Sequence, residues 1–181
     1  MSDELKIRRC NHGDEAALSL VGQATFLETF AGILDGDAIV THCAKAHSIQ
    51  QYHAWLENPD YALWVAEIAP GGAPVGYMVV SPPDLPMPTT PGDLELKRIY
   101  LLGKLQGSGL GRRLVTAAVS HASDVEADRL LLGVYAGNQK AVSFYQRMGF
   151  TQLGSRKFNV GGKDYDDNIF GMLVGTTAQS S

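Results

Sequence analysis

Between an apolar run at residues 94–102 and a helix-patterned run from Leu110 to Val119 lies Gln106-Gly107-Ser108-Gly109-Leu110-Gly111. This order of strand, glycine turn and helix constrains the fold more than any other stretch. Glycines at 107, 109 and 111 let the backbone take φ/ψ values closed to other residues. The helix that follows leaves its first N–H groups unpaired at the positive end of its dipole, where an anion such as a phosphate fits. An ordinary glycine turn is the other reading of the same residues. Two phosphate loops are excluded: no Gly-Lys-Ser/Thr closes this one, and Arg112 stands where a dinucleotide fingerprint needs its third glycine.

Periodicity divides the remainder. Leu5–Cys10 alternates as a short strand, and Asp14 is placed to cap a helix over 14–31, in which Ala17, Leu18, Val21, Ala24, Phe26, Leu27 and Phe30 recur at helical spacing. Residues 36–58 read as further helix, broken around His47-Ser48 and stopped by Pro59. Residues 61–68 and 75–80 form a hairpin pattern, and the proline-rich 82–91 is a surface loop leading into the strand at 93–102. After the glycine loop come a helix to about residue 125, an apolar strand at 130–135 of the kind covered on both faces, and a helix capped by Asn138 and ended by Gly149. Strands at 150–158 and 165–174, joined by a link at 159–164, close the pattern, and 176–181 reads as a frayed tail. A meander of strands followed by strands alternating with helices predicts a mixed sheet with helices on both faces.

With 181 residues and 45% hydrophobic content the chain can bury one substantial core, so a single domain is expected. A net charge of −4 with no basic run argues against a nucleic-acid surface and suits a cationic substrate. No apolar stretch approaches the roughly 18 residues of a spanning helix, and the polar start carries acids, so a cytoplasmic protein without a membrane partner is expected. Cys10 and Cys43 form no CxxC pair and read as reduced thiols. His12, His42, His47, His53 and His121 show no HExxH or ligand-spaced cluster, so no metal is expected.

Gln106-x-x-Gly-x-Gly resembles the pyrophosphate loop of the GCN5-related N-acetyltransferase (GNAT) superfamily. Farther along, Asn138-Gln139-Lys140-Ala141-Val142-Ser143-Phe144-Tyr145-Gln146-Arg147-Met148-Gly149-Phe150 is similar to its fourth-helix motif, Asn-x-x-Ala-x-x-Phe-Tyr-x-x-x-Gly-Phe, in the expected order. The resemblance implies an α/β domain over 1–175, with a mixed, mostly antiparallel sheet of about seven strands. It implies acetyl-CoA as co-substrate. Backbone groups of Ile99, Tyr100 and Leu101 would hold the pantetheine arm and acetyl carbonyl, and Gln106, Gly107, Ser108, Gly109, Leu110 and Gly111 the pyrophosphate. Asn138 and Tyr145 would face the cofactor, Tyr145 near its sulfur, while Lys104, Arg112 and Arg113 either add charge for the phosphates or are simply solvated. By helical spacing Phe144 and Met148 are core residues. Homodimers are common in the superfamily.

Ala24–Phe30, Leu94–Tyr100 and Gly154–Asp166 look most like the bacterial polyamine N-acetyltransferases. A polyamine needs acids lining a groove, and Glu28, Asp35, Asp93, Glu95, Asp164, Asp166 and Asp167 either converge as such or are surface acids. Any aliphatic amine of pKa about 10.4 is neutral only about once in 2,500 molecules at pH 7, a penalty of roughly 4.6 kcal/mol that a base or an apolar site must offset. Peptide N-acetyltransferases of the superfamily often carry a glutamate where Gly133 stands, which weakens that reading. Glu95 is the nearest alternative base, or else an exposed strand carboxylate with no chemistry. Tyr145 is a weaker acid than a thiol by roughly 2 kcal/mol, so hydrogen bonding to the leaving thiolate is its expected role. The rival readings are a peptide or other small-amine acetyltransferase, a non-catalytic acyl-CoA-binding domain, and an interaction module whose glycine loop is only a turn.

Overall fold

The computed structural model describes residues 4–160 and 162–175, and the tail expected at 176–181 lies outside them. In chain order the elements are β1 (Leu5–Arg9), α1 (Glu15–Phe30), α2 (Gly36–Ala46), α3 (Ile49–Glu57), β2 (Ala62–Ile68), β3 (Ala73–Ser81), β4 (Asp93–Leu101), α4 (Leu110–Asp124), β5 (Arg129–Tyr135), α5 (Gln139–Arg147), β6 (Thr151–Val160) and β7 (Lys163–Leu173). The helix break falls at His47-Ser48 as expected, because the Ser48 hydroxyl accepts the Gln51 N–H at 3.1 Å and starts α3 afresh.

The strands make one seven-stranded sheet in the order β1-β2-β3-β4-β5-β7-β6. Every neighbouring pair is antiparallel except β4 and β5. The expected α/β fold, a mixed and mostly antiparallel sheet with helices on both faces, is borne out. On one face Leu110, Leu114, Val115 and Ala118 of α4 pack with Leu96, Leu130, Leu132 and Phe170. Burying each of the larger of these side chains contributes about 1.5–3 kcal/mol. On the other face α1 and α3 cover Leu63, Val65, Tyr77 and Val79 with Leu18, Val21 and Tyr52.

Three local expectations need correction. The six-residue link at 159–164 is largely strand, since Val160 pairs with Lys163 and Asn159 with Asp164; Gly162, at φ +83°, supplies the left-handed backbone that a tight reversal needs. Asp14 occupies the N-cap position of α1 without capping it. Its carboxylate instead takes both Arg8 amino groups, at 2.8 and 3.0 Å, together with the Asn11 N–H at 2.8 Å, so the bidentate guanidinium turns it toward the preceding turn and away from the helix start. In α5 it is Tyr145 that is buried, while Phe144 and Met148 are half-buried. The helix sits at the end of the core, so its apolar stripe is only partly covered.

Gly22 of α1 faces His47 and Tyr52, which are hydrogen-bonded to each other at 2.9 Å, and a Cβ there would overlap both side chains. Gly22→Ala is expected to cost about 1–3 kcal/mol, the usual penalty of overpacking. An unchanged denaturant midpoint would show that the two rings can retreat.

Candidate active site

β4 and β5 are hydrogen-bonded only at their starts, with Asp93 opposite Arg129, Leu94 opposite Leu130 and Glu95 opposite Leu131. Beyond Glu95 the two strands part, although β4 stays paired with β3 to Leu101 and β5 with β7 to Tyr135. The closed end of this split is clamped by Arg129, whose Nε and Nη2 donate to Asp93 at 2.9 and 2.6 Å. That guanidinium holds the Asp93 carboxyl below the ordinary carboxylate range. Where the strands separate, β4 carries a bulge: Val79 faces Arg98 and Val80 faces Leu96, so Lys97 is the extra residue. Ile99, Tyr100 and Leu101 follow it along one edge of the split, all partly buried.

The glycine loop stands at the open end. Gly107 and Gly109 have φ of +82° and +87°, and a Cβ built on either meets nothing within 4 Å. Gly111 differs from the expectation: it lies in α4 without a positive φ, and a Cβ there would touch Phe144 at 3.5 Å, an ordinary contact. Gln106, Gly107, Ser108 and Gly109 are exposed and Leu110 is buried, anchoring the helix. Among the described residues the N–H groups of Gly107, Gly109, Gly111 and Arg112 have no acceptor, while the Leu110 N–H is turned back to the Ser108 hydroxyl at 3.3 Å. A row of free donors at a helix start fits a diphosphate. Arg113 does not join them, because its guanidinium donates to the Leu5 carbonyl at 3.2 Å; Lys104 and Arg112 are exposed.

Tyr145 comes up from the α4 and α5 side, its ring packed on Phe144 and Phe150. Its hydroxyl has no hydrogen-bond partner among the described residues, and burial, then Tyr100, pushes its pKa above the ordinary phenol value. Such a group stays protonated and so keeps a proton to donate. Asn138 is committed to α5, its Oδ1 accepting the Ala141 N–H at 3.1 Å, which leaves its Nδ2 for a ligand.

Glu95 is a correction to the picture of an exposed strand carboxylate, since it is 3% exposed. Its Oε2 accepts the Asp84 N–H at 2.8 Å, and Oε1 has no partner among the described residues. No hydrogen bond joins Glu95 to Tyr145; they approach the split from opposite faces of the sheet. The other acids do not converge. Asp35 pairs with Lys163 at 3.0 Å, Asp166 with Lys157 at 2.5 Å and Asp167 with Arg156 at 3.2 Å. Glu28 accepts the Gly103 N–H at 2.6 Å, and Asp164 the Asn159 side chain at 2.9 Å.

Two arginines escaped the sequence reading. Arg98 sits over Trp55, its Cζ 4.6 Å from the ring centroid, and its Nη1 donates to the Ala46 carbonyl at 2.9 Å and to the Tyr52 hydroxyl at 3.0 Å. It thereby caps the negative end of α2 and ties that helix and α3 to the β4 bulge. Its neighbour His47 is fully buried, and desolvation, then Arg98, pushes its pKa down to about 3. Arg156 lies over Gly133, where a side chain would collide with its guanidinium at 2.7 Å, so the place of the glutamate seen in peptide N-acetyltransferases holds a cation. The available signal for Arg98 was a break in alternation, since β4 alternates charged and apolar residues from Asp93 to Lys97 and Arg98 then falls in the apolar phase. Nothing in the sequence pairs Arg156 with Gly133.

The model of the Acetyltransferase (GNAT) family matches residues 29–150. An uncharacterized N-acetyltransferase of Mycobacterium tuberculosis is 31% identical over 122 residues, covering 67% of this chain and 73% of the relative. The spermine/spermidine N(1)-acetyltransferase of Bacillus subtilis is 32% identical over 69 residues, 38% of this chain and 45% of that one. Among solved structures, the PaiA N-acetyltransferase of Thermoplasma acidophilum in complex with coenzyme A superposes with a TM-score of 0.76 at 20% identity, covering 93% of this chain and 98% of that one. With its split sheet and free glycine-loop donors, this chain belongs to the GNAT family and is an N-acetyltransferase.

Proposed function

We propose that the chain transfers the acetyl group of acetyl-CoA to a primary amine by direct attack, with the cofactor lying in the split between β4 and β5. The parting of those strands beyond Glu95 carries this reading. The free N–H groups of Gly107, Gly109, Gly111 and Arg112 would hold the pyrophosphate, and the split edge at Ile99, Tyr100 and Leu101 the pantetheine and thioester. Backbone N–H groups beside the Lys97 bulge would stabilise the oxyanion, because they are already oriented and need no reorganisation as charge develops. Glu95, through Oε1, accepts the amine proton directly or by a water, and Tyr145 donates to the sulfur as it leaves. The PaiA likeness, in which coenzyme A is bound to the neighbour, supports the cofactor assignment.

A second reading, that the amine is a polyamine, is favoured by the likeness to the spermine/spermidine enzyme. Against it, Asp35, Asp93, Asp166 and Asp167 are already paired with cations of the chain. Thioester consumption with propylamine, spermidine, an amino acid and a peptide α-amine tests both. Turnover with at least one amine is expected, falling about 10²- to 10⁴-fold in Glu95→Gln, as for loss of a general base. No turnover with any amine would return the chain to the non-catalytic class. The polyamine reading requires a kcat/KM for spermidine about tenfold or more above that for propylamine, and a KM that rises with salt.

A further inference from the structure

Away from the split, the start of α1 and the outer face of α3 bring together side chains that sequence spacing keeps far apart. His12, in the turn between β1 and α1, and His53 and Glu57 of α3 each offer a ligand atom, and these atoms lie within 4.8 Å of one another. His53 and Glu57 are one helical turn apart, with Nε2 and Oε1 at 3.4 Å. The His12 and His53 rings are 5.7 Å apart. Glu15, itself only 14% exposed, takes the other face of the pair, its Oε1 lying 3.1 Å from His53 Nδ1 and 3.8 Å from His12 Nδ1.

We propose that His12, His53 and Glu57 form a surface site for a divalent transition-metal ion of the zinc type, with Glu15 as the carboxylate that orients His53. The chemistry follows from the donors. Two imidazoles and one carboxylate, completed by water, are a tetrahedral set that suits zinc and its neighbours, whereas calcium and magnesium require mostly oxygen. A carboxylate on His53 Nδ1 fixes the tautomer that leaves Nε2 unprotonated on the side of Glu57, the arrangement that commonly backs a metal-bound histidine. With both histidines neutral, Glu15 and Glu57 give the cluster two negative charges and no cation of its own. At metal–ligand distances near 2.0–2.1 Å, tetrahedral ligands sit about 3.4 Å apart, so the side chains must close by about 1.4 Å. That is within reach of His12, His53 and Glu57, whose side chains are 62%, 51% and 60% exposed.

A bound ion would join the β1–α1 turn to α3, the helix whose Tyr52 supports Arg98 on the β4 bulge. The test is calorimetric titration of the untagged full chain with zinc chloride, with magnesium chloride as control and cobalt(II) absorption as a report of coordination number. One zinc per chain, no magnesium uptake and a four-coordinate cobalt spectrum are expected. Affinity should fall about 10- to 100-fold in Glu15→Gln, the usual loss when an outer-shell partner is removed, and zinc uptake at this site should disappear in His12→Ala/His53→Ala. Coenzyme A affinity in the same variants, which lie outside the split, reports that they remain folded. Equal zinc uptake by the wild type and the double variant, or a six-coordinate cobalt spectrum, would overturn the proposal.

Discussion

Gly109→Val is expected to weaken coenzyme A binding by at least about 100-fold, the scale of losing two charge-assisted hydrogen bonds to the pyrophosphate at about 1.5 kcal/mol or more each. Two effects act together. Gly109 has φ of +87°, which a β-branched residue cannot hold without strain, and the space its Cβ would enter is open on the protein side. A side chain there therefore collides with nothing in the fold and only with an occupant of the loop. Gly109→Asn separates the two effects, since asparagine tolerates left-handed backbone but still fills the space. Both variants should lose binding; Gly109→Val should also melt at a lower temperature because of the strained backbone, whereas Gly109→Asn should melt close to wild type. Calorimetry giving unchanged affinity in a folded Gly109→Val protein would remove the pyrophosphate from this loop.

Tyr145→Phe is expected to lower kcat by about 10- to 1,000-fold while leaving coenzyme A affinity nearly as it was. The ring keeps its packing on Phe144 and Phe150, and only a hydroxyl with no partner among the described residues is lost. Because the fold itself uses no hydrogen bond from that hydroxyl among the described residues, its deletion is expected to be felt when charge grows on the sulfur. Because burial raises the phenol's pKa, Tyr145 should add no alkaline limb to the pH–rate profile below the ordinary range of tyrosine. Wild-type turnover in the variant would return Tyr145 to the core alone.

What could be read from the sequence is what depends on near neighbours. Ser48, Asn138 and Gly149 punctuate helices through bonds and backbone angles spanning a few residues, and all act where local chemistry puts them. The glycine loop belongs to the same class at Gly107 and Gly109. Residues whose partners are remote in the chain were not legible. Asp14 left its capping role for Arg8 and Glu28 reached the Gly103 amide, while Asp167 was taken up by Arg156. Each carboxylate had several chemically equal fates, and only the packing of strands and helices selected one. Tyr145 and Phe144 illustrate the same limit on a single helix: periodicity assigned the apolar stripe, but the depth of each residue depends on how much sheet lies beneath it.

The split between β4 and β5 places two strand edges in the middle of a sheet. Edges elsewhere invite foreign strands, and proteins ordinarily blunt them with charge or cover. Here the two edges are joined at one end, at residues 93–95 and through the Asp93–Arg129 clamp, so the split is open only toward Leu101 and Tyr135. A ligand whose own amides run along that gap would stand in for the missing ladder. On the proposed placement the sheet is complete only when loaded, and dissociation of the cofactor would be, for β4 and β5, a partial unzipping of the sheet.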